Sequence, residues 1–136
     1  MLAFSGGAGT LTGANSTTDG ASNTETIVTV LGAGSYAAQL CSDYEVDSQG
    51  NSPCVAGNTC YKDWFLPAGD NAEETGQLNC LYANKTAIGG FSSANYWSST
   101  ELGSDVAWIQ LFDNGYQYIG NKTLTLRVRC VRAFTP

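Results

Sequence analysis

A strong turn signal, Asp113-Asn-Gly115, constrains the fold of this chain more than any other feature of its sequence. The runs on either side, 106–112 and 116–119, are rich in aromatic and branched apolar residues, which are typical of strands. An Asn-Gly pair between two such runs favours the tight turn of a β-hairpin. We therefore predict an antiparallel hairpin, followed by a further strand toward the end of the chain.

The residues from 125 to 134 form the clearest strand pattern. Arg127 and Arg129 alternate with apolar residues. This alternation predicts one buried face, which is formed by Leu126, Val128 and Cys130. The alternation loses phase at Val131, which is typical of a β-bulge. Together with Arg132, the two arginines form the only basic concentration, and we expect it to pair with carboxylates.

Length and charge limit the classes of function. With 136 residues, the chain is long enough for one domain, residues 1–136, with a sizeable core. Twelve acidic against six basic residues give a net charge of -6, which argues against nucleic acid because that partner requires a basic surface.

No stretch is long and apolar enough to span a membrane, and no signal peptide is visible. The Gly/Ser/Thr-rich residues 1–22 predict a long surface loop or a truncated start.

Two short helices are predicted in the middle of the chain. The first spans 36–41, and its inward-facing residues are Tyr36, Leu40 and Cys41. The second spans 77–82 and has as its apolar stripe Leu78, Leu81 and Tyr82. Acidic residues at 73 and 74 favour the start of this second helix because they complement its dipole.

Five cysteines in a short chain indicate an oxidising compartment. Cys54 and Cys60 flank a short loop and are able to close it as a local disulfide. Any two of Cys41, Cys80 and Cys130 are able to pair, and we expect the odd cysteine to be a buried free thiol. Zinc is not expected because the chain has no His and its cysteines are not spaced as paired knuckles.

Neither a calcium site nor an active site has a clear signature. Asp43, Glu45 and Asp47 alternate like calcium-loop ligands, but the Gly and Glu that an EF-hand requires further on are missing, which favours a solvated acidic loop. The absence of His removes the usual general base. We interpret Ser98-Ser-Thr100 as a turn that bonds its own backbone, not as nucleophiles. We therefore expect no metal, no cofactor and no enzymatic activity.

Ordered strings of residues extend over most of the chain, from about 18 to 134. They are Asp63-Trp-Phe-Leu-Pro67, Gln77-Leu-Asn-Cys-Leu-Tyr82, Ala87-Ile-Gly-Gly-Phe91, Tyr96-Trp-Ser-Ser-Thr-Glu101, Ala107-Trp108, Phe112, Asn114-Gly115, Gln117, Lys122 and Thr125-Leu-Arg-Val-Arg-Cys-Val-Arg-Ala-Phe134. This set resembles the bacterial DUF1566 domain, the C-terminal module of Legionella collagen-like adhesins and a domain of many surface lipoproteins. The resemblance implies an α+β fold similar to that of C-type lectins, loop-rich, with two helices beside small antiparallel sheets, used for binding.

The resemblance also changes one local prediction. The β-branched residues of 26–31 suggest a strand, but the family implies a helix over 23–31, with Ser22 or Asn23 as its cap and Gly32 as its stop. Family members usually carry extra strands before this point, so we expect an N-terminal portion, with any export signal or anchor, to be missing.

Some DUF1566 domains are rewritten by diversity-generating retroelements, which change adenines in asparagine-type codons and leave framework codons alone. Here framework residues such as Trp108, Gln110 and Phe112 interleave with residues that such codons can reach. The resemblance therefore implies a variable region over 89–134. Its ligand-binding residues would be Asn95, Leu102, Asp105, Val106, Ile109, Leu111, Asp113, Tyr116, Tyr118, Ile119, Thr123 and Leu124.

Strand geometry gives this interleaving a physical meaning. Alternate side chains share a face, so Ile109 and Leu111 point away from Trp108, Gln110 and Phe112. We expect the first face to be a ligand platform and the second to be framework. The alternative is that the residues of the first face are ordinary core residues and the aromatic ones lie outside.

Three functional hypotheses follow. The first is a diversified domain that binds a protein ligand on another cell or host, displayed on a bacterial outer surface or a phage particle, with tyrosines as rigid contacts. The second is a fixed adhesin module for glycans or glycosaminoglycans, although the net charge of -6 argues against sulfated polysaccharide. The third is a structural cap that forms a homotrimer. All three place the domain outside the cell, without direct insertion into a membrane.

Overall fold

The computed structural model describes residues 1–5, 9–69 and 76–133. Within these ranges the chain is of the α+β class, with four helices and two small antiparallel sheets. The elements are α1 Gly20–Leu31, α2 Ala37–Asp43, β1 Val46–Asp47, β2 Cys60–Tyr61, α3 Gln77–Ala83, α4 Lys85–Ile88, β3 Asn95–Glu101, β4 Val106–Leu111 and β5 Gln117–Asn121. None of the described helices is long and apolar enough to cross a membrane. The predicted dipole role of Glu73 and Glu74, and the strand end at Phe134, lie outside the described residues.

A capping residue stands at each end of the helix α1. The Asp19 carboxylate accepts a hydrogen bond of 3.0 Å from the backbone N–H of Ser22, and Gly32 ends the helix with a φ of 73°. The predicted helix and its stop at Gly32 are therefore confirmed. The predicted cap was wrong because the helix starts at Gly20, three residues before Asn23.

The predicted hairpin is confirmed. β4 and β5 pair antiparallel from Val106 opposite Asn121 to Gln110 opposite Gln117. The turn between them ends at Gly115, whose φ is +82° and where a Cβ atom would come within 2.5 Å of the Tyr82 ring. Glycine is therefore required there both by the backbone conformation and by the close approach of an aromatic side chain.

β3 flanks β4 on the side opposite β5, with a register shift between Trp97 and Glu101. The expectation of a turn at 98–100 was wrong, because these residues lie within β3 and are buried. The expected bond to the segment's own backbone is present, since the Ser98 hydroxyl accepts the Thr100 N–H at 3.1 Å. The hydroxyl groups also find partners in distant segments, and these hold the residues in a strand.

The predicted long final strand is broken into three isolated bridges, which join Leu126 to Leu2, Arg127 to Tyr96 and Val131 to Phe65. The predicted division of faces holds nevertheless. Packed against the main core are Leu126, Val128 and Cys130. Arg127 is exposed and Arg129 is half-buried on the other side.

Both faces of the β3–β4–β5 sheet are covered by apolar clusters. On one side, Trp97 and Ile109 pack with Ile27 of α1 in the main core. On the other side, Tyr96 and Phe112 pack in a second cluster whose remaining members are Leu78, Leu81, Tyr82 and Phe91. The apolar stripe predicted for α3 is thereby confirmed.

The start of the chain contributes more to the core than its composition predicts. Phe4, Ser5, Thr12 and Ala14 are buried, so the described part of 1–22 is not a simple surface loop. The expectation was wrong because a few large or hydrogen-bonded side chains anchor a segment whose average composition is small and polar.

The cysteines form two disulfides. Cys54 pairs with Cys60, as predicted, and Cys41 pairs with Cys130, which joins α2 to the end of the chain. Cys80 is the free thiol, but it is exposed on α3 rather than buried as expected. In α2, Tyr36 and Cys41 are buried, whereas Leu40 is 46% exposed and does not face inward as predicted.

Candidate ligand-binding face

Four predicted ligand residues lie together where β5 and β4 approach the hairpin turn. Asn95 is opposite Leu111 in the sheet, and the Tyr118 hydroxyl donates a hydrogen bond of 2.5 Å to Asn95 Oδ1. The rings of Tyr116 and Tyr118 are 5.4 Å apart. Tyr116 is 64% exposed, while the others are half-buried. We call Asn95, Leu111, Tyr116 and Tyr118 the tyrosine strip.

Register explains why this strip is accessible and its neighbour is not. Tyr118 lies opposite Ile109, so both side chains point to the same side of the sheet. Ile109 is only 2% exposed because it belongs to the main core with Trp97. The expectation that Ile109 lies on an exposed platform was therefore wrong. Leu111, two residues nearer the turn, is half-buried.

A second group of predicted residues lies at the opposite end of the hairpin. The β3–β4 turn carries Leu102, Asp105 and Val106, and its backbone closes through N–H groups of 102 and 103 that bond to the Val106 carbonyl at 3.0 and 3.2 Å. Thr123 and Leu124 follow β5, and the Asp105 carbonyl, which accepts the N–H of residue 122 at 2.8 Å, joins the two segments. Leu102 and Leu124 are 54% and 48% exposed.

Leu124 lies on the same side of the sheet as the tyrosine strip. A Cβ atom built on Gly120 would meet Leu124 Cδ1 at 3.5 Å and Ile109 Cδ1 at 3.2 Å. Gly120 is two residues from Tyr118, so the two positions share a face of β5. The exposed apolar residues therefore follow β5 from Tyr116 to Leu124.

The two remaining predicted residues lie apart from these groups. Ile119 is opposite Trp108 on the other face of the sheet and is 42% exposed. Asp113 is exposed in the β4–β5 turn. The structure thus places the tyrosine strip and Leu124 along one side of the hairpin, and it gathers the rest of the second group at the end away from the turn. It separates Ile119 and Asp113 from both groups and buries Ile109.

The residues predicted as framework are held by polar and aromatic contacts. Gln110 is fully buried, and its Nε2 donates hydrogen bonds to Asn79 Oδ1 at 2.8 Å and to the Gly115 carbonyl at 3.1 Å. Phe112 stacks on Phe91 with ring centroids 4.9 Å apart. The far side of the hairpin is therefore packed against α3 and its surroundings at Gln110 and Phe112, near the turn, while Ile119 farther along that face is exposed.

Sequence reasoning missed the buried ion pair beneath the β3–β4 turn. Lys122 Nζ lies 2.7 Å from Glu101 Oε2, with the side chains 0% and 2% exposed. The backbone N–H groups of Thr12 and Gly13 also donate to this carboxylate. Burial raises the pKa of Glu101, but the hydrogen bonds from Lys122, Thr12 and Gly13 outweigh it and hold that pKa below its ordinary value. The only signal in the sequence was that both charged residues belong to the strings resembling DUF1566.

The buried hydroxyl groups of β3 serve as structural links. Ser98 donates to the Trp108 carbonyl at 2.7 Å, and Thr100 donates to the Ser16 carbonyl at 2.8 Å. Asn23 of α1 donates to the hydroxyls of Ser99 and Thr100, both at 3.3 Å. These bonds tie the start of the chain and α1 to the central sheet, and none of them activates a nucleophile.

The expected solvation of the acidic residues holds for Asp43, which is exposed, and fails for Asp47, which is buried, while Glu45 is half-buried. Asp47 is held by the protein itself. Its carboxylate accepts hydrogen bonds from the side chains of Asn58 and Asn51 and from the backbone N–H groups of Gln49, Asn51 and Val55. The Asn58 amide, followed by the bonds from Asn51 and Val55, holds the pKa of Asp47 well below its ordinary value despite its desolvation. N–H donors of the protein surround this carboxylate and use the acceptor capacity of its two oxygen atoms.

One group of metal-ligating residue types is found among the described residues, formed by Glu45, Cys54 and Cys60. The two sulfur atoms are joined as a disulfide, so neither is a thiolate able to bind a metal. A cavity of about 480 Å³ lies between Leu2, α2 and Pro53. No residue predicted to bind a ligand lines it.

Comparisons of the chain with protein-family models and with curated proteins find no match.

Proposed function

We propose that this chain is a non-enzymatic binding domain of the DUF1566 type, with the fold of C-type lectins, whose ligand face is diversified by a retroelement. The ligand is a protein, contacted by the tyrosine strip together with Leu124, Thr123 and Leu102. The domain acts on a bacterial outer surface or a phage particle.

The observation that carries the proposal is the contrast between the two sides of the hairpin. Near the β4–β5 turn, Tyr116 is exposed on one side of the hairpin, whereas the framework residue Gln110 on the other side is fully buried and hydrogen-bonded. Farther along, Leu124 continues the exposed apolar side. Tyrosine supplies large and rigid contact area at low entropic cost, and aromatic residues are enriched in protein interfaces. An exposed row of this kind favours recognition of another protein.

Two further observations support the proposal. The two disulfides fit an oxidising location outside the cell. The hydroxyl groups of 98–100 are buried as structural hydrogen-bond partners, and the buried Glu101 is neutralised by Lys122. These polar groups of β3 therefore have structural roles, which favours binding over catalysis.

Deep sequencing of this coding segment tests the proposal, in a population grown from one cell with the retroelement active. We expect substitutions at template adenines in codons for residues such as Leu102, Tyr116 and Tyr118. Codons for Trp108 and Gln110 serve as matched controls within the same hairpin and should not change. An invariant segment in cells with demonstrated retroelement activity would contradict the proposal and leave the fixed adhesin to be tested with a glycan-binding screen.

A further inference from the structure

A small pocket with two arginines lies beside β3, where Arg127 pairs with Tyr96. It has a volume of about 240 Å³ and is lined by Leu2, Leu40, Gly90, Tyr96, Arg127 and Arg129, among others. We call it the arginine pocket. Arg127 and Arg129 both line it, and the residues that alternate with them pack against the main core, so the two arginines lie on the opposite face of this segment.

The structure holds both arginines in place. The Arg129 guanidinium lies 4.5 Å from the centroid of the Phe91 ring and donates a hydrogen bond of 3.4 Å to the Gly89 carbonyl. A Cβ atom on Gly90 would come within 3.2 Å of Arg129 Nη1, so a glycine leaves the space for the guanidinium. The backbone of Arg127 is fixed by two hydrogen bonds to β3. Its N–H donates to the Asn95 carbonyl at 3.1 Å, and its carbonyl accepts the Trp97 N–H at 3.0 Å.

These two guanidinium groups have no carboxylate partner among the described residues. The expected pairing is confirmed for Arg132, whose Nε lies 2.6 Å from Asp63 Oδ1. The other ion pair of the described ranges joins Lys122 and Glu101. No acidic residue lines the arginine pocket, although the chain has twelve acidic residues against six basic ones.

Two adjacent cations without counter-charges repel each other, and an anion between them relieves this repulsion. An arginine fork matches a carboxylate through two parallel hydrogen bonds. The rest of the lining includes the apolar side chains of Leu2 and Leu40 and the ring of Tyr96, which suit an apolar body attached to that group. We propose that the arginine pocket binds a small organic acid, with its carboxylate on Arg127 and Arg129 and its apolar part against Leu2 and Leu40.

This site is separate from the proposed ligand face. Arg127 and Arg129 belong to the strings of framework type, so the site would stay constant while the tyrosine strip varies. Failure of one proposal therefore leaves the other standing.

NMR titration of the ¹⁵N-labelled chain with benzoate, phosphate and sulfate at equal ionic strength tests the inference. We expect saturable shifts of the Gly90 and Arg129 amides with benzoate, and weaker binding of the two inorganic anions. Absence of saturation with benzoate, or tighter binding of phosphate or sulfate, would overturn the assignment to a carboxylate.

Variants then locate the contact. Arg127→Gln and Arg129→Lys should each weaken benzoate binding by about tenfold or more, because a charge-assisted hydrogen bond or its fork geometry is lost. Lys62→Met, which removes one exposed charge elsewhere, and Arg132→Lys, the same exchange outside the pocket, are the controls and should leave the affinity unchanged. Arg127 is exposed, so its variant is expected to fold even where Arg129→Lys does not. Equal weakening by the controls would overturn the inference.

Discussion

The buried ion pair between Lys122 and Glu101 allows a sharp test of the structure. The Lys122→Met variant removes the ammonium and keeps most of the aliphatic volume. The Glu101 carboxylate then retains the backbone N–H donors of Thr12 and Gly13 but loses the charge that faced it at 2.7 Å. Removal of one partner of a buried pair costs about 3–5 kcal/mol, and because two donors remain we expect a loss of about 3 kcal/mol in the free energy of unfolding.

The reciprocal variant should cost more. Glu101→Gln leaves the buried ammonium with the Thr10 carbonyl at 2.9 Å and the Phe4 ring, whose centroid is 5.2 Å away. We expect a loss of about 5 kcal/mol because a full charge is then buried without its counter-charge. In the double variant no unpaired charge remains, so its loss should be smaller than the sum of the two single losses by about 2 kcal/mol.

Urea unfolding at neutral pH, with both disulfides intact, measures these free energies from the midpoint and the slope. The exposed Lys62→Met variant is the matched control, since it also removes one positive charge, and it should change the stability by no more than about 0.5 kcal/mol. The reasoning is refuted if Lys122→Met costs no more than this control, or if the two single losses add up to that of the double variant.

The pH dependence of the same pair has a defined sign. Because the folded-state pKa of Glu101 is below its ordinary value of 4.5, the pair stabilises the protein above about that pH, and this contribution disappears as the pH falls through the folded-state pKa. In Lys122→Met, the loss of the hydrogen bond from Lys122 raises the pKa of Glu101 relative to the wild type, so acidification relieves the buried charge of the variant first. The stability difference between the wild type and this variant should therefore shrink between pH 7 and pH 4, and a constant difference would contradict the assignment.

Three further predictions concern packing and cysteine chemistry. Ile109→Ala should cost about 2–5 kcal/mol in urea unfolding, because Ile109 is buried, whereas Tyr116→Ser should change stability by no more than about 0.5 kcal/mol; equal costs would contradict the division into core and strip. Replacing both Cys41 and Cys130 by Ala should cost about 4–5 kcal/mol, because their disulfide is closed over a sequence separation of 89 residues, and a loss below about 1 kcal/mol would argue against the bond. Maleimide should label one thiol per native chain, at Cys80, and labelling only after unfolding would contradict its exposure.

The elements that sequence predicts well are those fixed by neighbouring residues. The β4–β5 hairpin depends on the Asn114-Gly115 turn, and α1 stops at Gly32, where a positive φ is required. In both cases the decisive backbone constraint lies within a few residues of the element that it ends. Local sequence therefore contains the necessary information.

The elements that sequence predicts poorly depend on distant partners. Ser98 and Thr100 belong to a strand because their hydroxyls bond to Trp108 and Ser16, which the local sequence cannot reveal. The predicted final strand is reduced to single bridges, whose partners Leu2, Tyr96 and Phe65 belong to three separate segments of the chain. Alternation correctly predicts which residues share a face, but not how far a neighbouring cluster covers that face.

Ile109 shows this last point within the candidate site. Ile109 and Leu111 have similar side chains and point to the same side of β4, yet one is buried and the other half-exposed. The difference is their distance from the main core around Trp97, which is a property of the tertiary structure. Alternation therefore places Ile109 and Leu111 on one side of β4, but it could not set the limit of the accessible area.

The interactions that fix the framework are largely separate from those of the tyrosine strip. The Trp97 indole donates to the Leu2 carbonyl at 3.0 Å, and its backbone N–H donates to the Arg127 carbonyl at 3.0 Å. Neither bond involves a side chain of the strip. The bond between Tyr118 and Asn95 joins two members of the strip to each other. A change at Tyr118 therefore removes the partner of a half-buried amide, whose hydrogen bond water can largely restore. It also removes a ring that packs against the main core. The hydrogen bonds that hold Trp97 do not depend on this face, so the fold can tolerate a variant at Tyr118 whose new side chain still covers the main core.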